Sequence, residues 1–370
     1  MHGIGEQSRG DAIGIRPSIA ISAVPLIMKD PLSFEALYES SQKCQRGVIW
    51  KDSVAAYSLN AIERTIKLSD ALKDGTYKSR EPYHFYITRP KLRLAASICF
   101  KDRVYQRSLN DNAICPQLTR SFIYDNGACQ KGRETDFTRN RLTAFLQKAY
   151  RKYGTDFYVL QCDIRGYYPN MSHKVVESYF KRHLDSESAK AAIEVLRSQY
   201  PGKIGYQPGS QMLQLAGISV LNGLDHFIKE RLRIKYYVRY MDDFILLHPD
   251  REYLEECQAA IAAELAKNQM ELHPEKTKTF PISSGLRFLG FDYKLTETGK
   301  VIKTIPSHVV KLERKHLRHL VKLAKAGKVP KWKVDQCLES WEAHAKKGNT
   351  YHVRARMRRF YDELWSGNVL

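Results

Sequence analysis

Apolar positions recur along this chain with two periods, and the places where the period switches mark out its elements. Spacing of three and four residues predicts helices. Ala55, Leu59, Ile62, Ile66, Leu68 and Leu72 set out one helix over residues 54–74, stopped at Gly75. Ser33 stands at the cap position of a short helix over 33–38. Phe137, Leu142, Phe145 and Leu146 form one face of a helix over 134–150. Helical stretches are also predicted from Ser172 to His183, over 212–232 and over 251–267. Alternating or densely β-branched and aromatic runs predict strands. These cover 83–87, 88–98 with a β-like continuation through 101–106, 157–164, and the two halves of 236–247. A strand pair or bend is expected at 286–293, around Gly290. From Ser307 onward the pattern turns helical, with Val309, Val310, Leu317, Leu320, Val321 and Ala324 as its first stripe.

One run breaks its own pattern. In Tyr236-Tyr237-Val238-Arg239-Tyr240-Met241-Asp242-Asp243-Phe244-Ile245-Leu246-Leu247, two adjacent carboxylates divide two strand-like halves. Asp is disfavoured inside strands and neighbouring carboxylates repel, so the pair is placed at a hairpin turn. Either it is only an acidic turn, or a divalent cation offsets the repulsion; Mg²⁺ favours such hard oxygen ligands. Asp163 lies near the carboxyl end of another buried strand. Residues 205–211 form a loop of glycines and small polar groups, where backbone can approach a ligand closely.

Charge narrows the choice of partner. The 370 residues carry a formal net charge of +20, with 43% hydrophobic residues. Such an excess in a foldable chain points to an extended polyanion, nucleic acid first. From Val301 to Leu370 there are 16 Lys and Arg against 6 Asp and Glu, so half of the excess lies in the last 70 residues. Seven cysteines stand without CxxC spacing, which argues against a zinc or redox motif and suits a reducing compartment. The apolar stretch 19–28 is too short for a membrane span and is interrupted by Pro25. Residues 1–31 are Gly-rich and irregular, and are expected to form an arm.

Taken in order, the chain offers a basic β-segment, a strand ending in Asp163, a Gly-Ser-Gln loop feeding a helix, and a Tyr-Met-Asp-Asp hairpin. A lysine, the run Phe288-Leu289-Gly290-Phe291 and a basic helical tail follow. This order resembles the reverse transcriptases, from about residue 83 onward. Tyr240-Met241-Asp242-Asp243 is similar to their YxDD motif, and LQCDIRGYYPN (160–170) to their first catalytic motif. Asp102-Arg103-Val104-Tyr105-Gln106, LNGLDHFIKE (221–230) and FLGF resemble the bacterial enzymes, including diversity-generating and phage-defence groups.

The resemblance implies an α+β right-hand polymerase fold. An N-terminal extension would cover 1–82, fingers and palm 83–300, and a basic helical thumb 301–370. It implies an RNA-directed DNA polymerase whose Asp163, Asp242 and Asp243 hold two Mg²⁺ ions, with Mn²⁺ as substitute; Asp163 and Asp242 would be the principal ligands. Arg93, with Lys91 as second candidate, would neutralise the triphosphate. Tyr168, five residues after Asp163, would exclude a 2′-hydroxyl and so select dNTPs. Lys276 resembles a lysine that protonates pyrophosphate; otherwise it is a solvated surface lysine. Phe288, Leu289, Gly290 and Phe291 would support the primer end. Lys311, Arg314, Lys315 and Arg318 would grip backbone phosphates.

One loop departs from the family. Where many members have Pro-Gln-Gly, this chain has Gln207-Pro208-Gly209, which puts Pro208 at the Gln position. Gln214 resembles the Gln of a Ser-Gln variant, but Leu213 replaces the Ser. Looser checking of nucleotide geometry is therefore expected. The expected partners are an RNA template, including a dedicated noncoding RNA, the DNA product and dNTPs. An accessory protein or homo-oligomer is left open, and no membrane is expected. The expected setting is anti-phage defence in a bacterial cytoplasm. Alternatives are an error-prone enzyme of a diversity-generating retroelement and, from another class, a catalytically silent RNA-binding scaffold.

Overall fold

The computed structural model describes residues 29–88 and 92–367. The expected arm therefore falls almost wholly outside the described residues. Helix α1 (Phe34–Gln45) starts at Ser33, whose hydroxyl accepts the Ala36 amide. The single helix expected over 54–74 is two, α2 (Asp52–Leu59) and α3 (Ala61–Lys73), broken at Asn60. The break turns Val54 and Tyr57 of one helix and Leu68 of the other onto the same small core, with Leu37, Phe100 and Val104. Leu59 and Ile62, which the periodicity assigned to the core stripe, are left 83% and 60% exposed.

The hairpin β1 (Tyr83–Ile87) and β2 (Arg93–Ser97) is antiparallel. Residues 101–106 are not β-like but lie in helix α4 (Phe100–Leu109). The cause is local. Asp102 is fully buried and accepts from Tyr77 Oη (2.8 Å), Cys99 Sγ (2.9 Å) and the Arg80 amide (3.1 Å). A carboxylate so satisfied in a first helical turn favours the helix over an exposed strand. A π-helical turn (Asn110–Ile114) and the short α5 (Cys115–Leu118) follow, then irregular chain to α6 (Thr135–Tyr153).

Strand β3 (Tyr158–Asp163) leads into α7 (His173–His183), α8 (Ser186–Gln199) and α9 (Gln211–Val220). The helix expected over 212–232 is interrupted at Leu221. It continues as α10 (Asn222–His226) and a π-turn (Phe227–Arg231). Next come β4 (Tyr236–Tyr240), β5 (Asp243–His248), α11 (Arg251–Ala266) and β6 (Lys278–Pro281). These four strands form one antiparallel sheet in the order β4-β5-β3-β6. A second antiparallel sheet holds β7 (Leu286–Phe288), β8 (Phe291–Leu295) and β9 (Val301–Thr304). Three helices complete the chain: α12 (Ser307–Lys325), α13 (Lys331–Ala345) and α14 (Tyr351–Ser366).

The four-stranded sheet has a core on each face, as a period of two requires. Leu160, Cys162, Tyr237, Phe244 and Leu246 pack toward α7, α8, α9 and α11. Val159, Tyr236, Val238, Ile245 and Leu247 pack toward α6, the second sheet and the last three helices. Burying each such aliphatic or aromatic side chain is worth about 1.5–3 kcal/mol. The chain is thus α+β, as expected.

Candidate active site

The register of the four-stranded sheet assembles the acidic residues. β3 pairs with β5 so that Asp163 lies directly opposite Asp243, and Asp243 also pairs with Tyr240 across the hairpin. The turn is two residues long, Met241 and Asp242, and Met241 takes a left-handed backbone, φ +56°. Only Asp242 therefore sits in the turn; Asp243 opens a strand. The sequence put both at the turn. The difference arises because a two-residue hairpin leaves no room for a third residue outside the ladder.

Lys276 arrives on the segment that leads into β6. β6 pairs as far as Lys278 opposite Gln161, and Lys276 lies two residues before that pairing begins. The His273 amide donates to the Asp163 carbonyl (2.7 Å) and the Arg165 amide to the Glu271 carbonyl (2.9 Å), which fastens the approach segment. Lys276 Nζ donates to Asp163 Oδ1 at 2.7 Å.

Electrostatically the site is short of positive charge. Burial, followed by the charges of Asp242 and Asp163, pushes the Asp243 carboxyl up to about 7. Burial raises Asp242 as well, with Asp163 adding to the effect. Like charges directly opposite on adjacent strands are destabilising. Lys276, whose ammonium is paired with Asp163, offsets only part of that repulsion. Among the described residues no group of three or more His, Cys, Asp or Glu side chains is arranged to hold a metal ion as it stands. The donor set nevertheless fits hard divalent cations. Asp163 and Asp243 face each other at the end of one strand pair with Asp242 next to them on the turn, and their mutual repulsion is only partly offset by Lys276.

Around this centre the nucleotide-side candidates fall in different places. Gln214 is exposed on α9; its Oε1 is 3.8 Å from Cys129 Sγ, which in turn is 3.8 Å from Met241 Sδ. Gln214 is therefore beside the hairpin turn. The Tyr168 ring packs on α9 at Gly217, where a Cβ would stand 2.9 Å from Tyr168 Oη, and that hydroxyl is buried without a partner. Burial pushes the Tyr168 hydroxyl far above its ordinary range, and Asp242 contributes to the shift. Pro208 is tied to the β1–β2 hairpin through its backbone. Its carbonyl accepts the Ala96 amide of β2 (3.2 Å), and a Cβ on Gly209 would collide with the Ala96 carbonyl. The Gly loop is thus clamped to the β1–β2 hairpin. Arg93 is exposed at the start of β2, opposite Ile87, without contact to the three aspartates. Lys91 lies outside the described residues.

The Phe288–Phe291 run is a hairpin of β7 and β8 turning at Leu289 and Gly290, both with positive φ. Phe288 and Phe291 are buried in the core, so only the turn itself reaches the surface. Arg139 fixes that turn: its Nε and Nη2 donate to the Leu289 carbonyl at 3.1 and 2.6 Å. On α12, Lys311, Lys315 and Arg318 are exposed along one face. Arg314 and Arg318 both hold their guanidinium groups over the Phe360 ring of α14, at 4.9 and 5.4 Å; Arg314 differs in being only half-exposed, with its Nε buried.

Two groups escaped sequence reasoning. Arg239 and Asp225 are fully buried and paired beneath the turn. The loop carrying Cys129 lies along the edge of β4, where Asn126 bridges Arg239 and the Gly127 amide donates to the Arg239 carbonyl (3.0 Å). The available signal was an arginine inside an otherwise apolar strand, Tyr236-Tyr237-Val238-Arg239-Tyr240, which is the mark of a paired buried charge.

Comparison with known proteins gives one family match and several distant likenesses. The family profile described as "Reverse transcriptase (RNA-dependent DNA polymerase)" matches residues 87–293. Protein P of duck hepatitis B virus, strain Germany/DHBV-3, is 30% identical over 105 residues, which cover 28% of this chain and 12% of the viral protein. Protein P of strain United States/DHBV-16 is 29% identical over 105 residues, 28% of this chain and 11% of that protein. The chain thus matches only about an eighth of these relatives' length. Among solved structures, telomerase from Candida albicans, in complex with a TWJ fragment of telomeric RNA, aligns with a TM-score of 0.45 at 12% identity. The alignment covers 65% of this chain and 49% of that one. Apo telomerase from Candida tropicalis, truncated from its C-terminal domain, aligns at 0.44 and 13%, covering 63% and 58%.

Proposed function

The chain belongs to the reverse transcriptase family of RNA-dependent DNA polymerases, and from that premise we propose that it extends a primer 3′ end with deoxynucleoside triphosphates on an RNA template. The observation that carries this reading is the register setting Asp163 opposite Asp243, with Asp242 beside them on the turn and Lys276 on Asp163. Asp163, Asp242 and Asp243 would hold two Mg²⁺ ions, or Mn²⁺ in their place. When bound, such a pair activates the primer hydroxyl and neutralises the leaving pyrophosphate.

The protein's own groups do the rest. Lys276 donates its proton to the departing pyrophosphate, as a general acid. Tyr168 fills the space that a ribose 2′-hydroxyl would need. Gln214 lies beside the turn and touches the incoming nucleotide, while Arg93 meets its phosphates from the β1–β2 hairpin, with Lys91 as the second candidate. The Leu289–Gly290 turn supports the primer end, and Lys311, Lys315 and Arg318 follow the duplex backbone. The test is primer extension on RNA with Mg²⁺ and dNTPs, beside an Asp242→Asn control. Extension by the wild type that the control loses supports the reading. No product from wild type overturns it and leaves the silent RNA-binding scaffold, and equal product from both overturns Asp242 as the carrier of the activity.

For the biological setting we propose phage defence in the bacterial cytoplasm, with a dedicated noncoding RNA as template. Support comes from Pro208 and Leu213, which depart from both the Pro-Gln-Gly and the Ser-Gln patterns. Sequencing the nucleic acid that purifies with the protein tests this. One recurrent noncoding RNA or its copy supports it; copies altered at template adenines point to diversity generation instead.

A further inference from the structure

Beneath the catalytic turn lies a charge that the proposed chemistry does not use. Arg239 of β4 is wholly buried, a costly position for a guanidinium unless its donors are all placed. They are nearly all placed. Nε donates to Asp225 Oδ1 (2.7 Å) and Nη2 to Asp225 Oδ2 (2.5 Å), a two-point grip. Nη2 also donates to the Ile218 carbonyl (3.1 Å), near the C-terminus of α9, where carbonyls lack helical partners. Nη1 donates to the Met241 carbonyl (2.9 Å). Asp225 is equally buried and accepts a further bond from Tyr237 Oη (2.6 Å).

The fourth contact is the informative one. Met241 holds a left-handed backbone that costs a residue with a side chain on the order of 1–3 kcal/mol. Its carbonyl belongs to the peptide plane whose nitrogen is that of Asp242. Fixing that oxygen fixes the plane, and with it the direction in which the Asp242 side chain leaves the turn. For stability alone, an apolar pair of similar volume would serve as well. It would not hold the Met241 carbonyl.

We infer that Arg239, locked by Asp225, is a positioning residue for the catalytic carboxylate Asp242, tying the metal-facing turn to the end of the helix that carries Gln214. This rests on the proposed polymerase reading, and the test separates the two. Arg239→Lys keeps the charge but loses the planar fork. It is expected to fold, to lower kcat for extension about 10–100-fold with the dNTP KM within about twofold, and to raise the Mg²⁺ midpoint. Mn²⁺ binding, read by electron paramagnetic resonance on the full chain without substrate, should weaken about 10–100-fold in parallel. That readout stands even if the wild type extends no primer, in which case the earlier reading fails alone. Should the Lys variant not fold, the triple variant Arg239→Met, Asp225→Leu, Tyr237→Phe removes the ion pair and hydroxyl together, and the same loss of Mn²⁺ affinity is expected. A folded variant of either kind with wild-type Mn²⁺ affinity and Mg²⁺ midpoint overturns the inference.

Discussion

At the scale of single residues, the site sets stability against function. Asp163 and Asp243 face each other across a ladder, and this opposition costs about 0.2–1 kcal/mol relative to an uncharged pair. Asp243→Asn should therefore melt at a higher temperature than wild type in metal-free buffer at pH 8, while primer extension disappears. A variant that melts lower would show that the repulsion is already relieved within the protein. Lys276 allows a second check. As a general acid it is worth about 10²–10⁴-fold in rate, so Lys276→Met should slow single-turnover incorporation by that factor while nucleic-acid binding stays nearly unchanged. Loss confined to binding would return Lys276 to the role of a surface cation. Asp242 and Asp243 stood out in the sequence because an acidic pair interrupts a strand pattern visibly, whereas Asp163, a lone acid at a strand end, was singled out by the resemblance of its motif. Arg239 was legible only as an odd charge in an apolar strand; its partner Asp225 lies fourteen positions away in another element, and spacing at that range does not name it.

At the scale of elements, the Gly loop and the β1–β2 hairpin form one unit. Gly209 lies so near the Ala96 carbonyl that any side chain must displace backbone. Gly209→Ala should destabilise by about 1–3 kcal/mol, read as a shift in urea midpoint, and should disturb incorporation by displacing the β1–β2 hairpin. An unchanged midpoint would mean that the clamp yields freely. Element types were read well where the period was long and unbroken, as in α6 and α11. They were misread where a tertiary partner overrode the pattern. Residues 101–106 look β-like until Asp102 is seen to gather three donors from elsewhere in the chain. The stripe over 54–74 implied one helix, but a core reached from two directions needed the break at Asn60. The Phe288 and Phe291 positions were found, yet their burial followed from α13 and α14 packing over the second sheet, which sequence spacing does not report.

At the scale of the whole molecule, the uneven charge becomes a measurable slope. Each phosphate contact contributes about 0.9 to the dependence of log affinity on log salt for a duplex. Replacing Lys311, Lys315 and Arg318 together with Ala should flatten that slope by up to about three in anisotropy titrations between 50 and 300 mM salt. Arg314→Ala should behave differently. Arg318 also reaches the Phe360 ring, but Arg314 is half-buried there with its Nε out of solvent, so its loss should cost about 0.5–2 kcal/mol of stability and leave the slope nearly intact. A slope that changes with Arg314 and not with the other three would reverse the assignment.

The sheet with a core on each face has one more consequence, visible on the clock of amide exchange. Functional segments usually open locally, at low free energy. Here the strands that carry Asp163 and Asp243 are roofed and floored by apolar side chains, so the amides of Leu160, Cys162 and Leu246 should exchange with solvent deuterium only when the entire molecule unfolds. The exposed β1–β2 hairpin should exchange orders of magnitude sooner. The slowest amides would then lie next to the chemistry, and the movements that turnover demands would belong to the elements around the carboxylates while the carboxylates stay still.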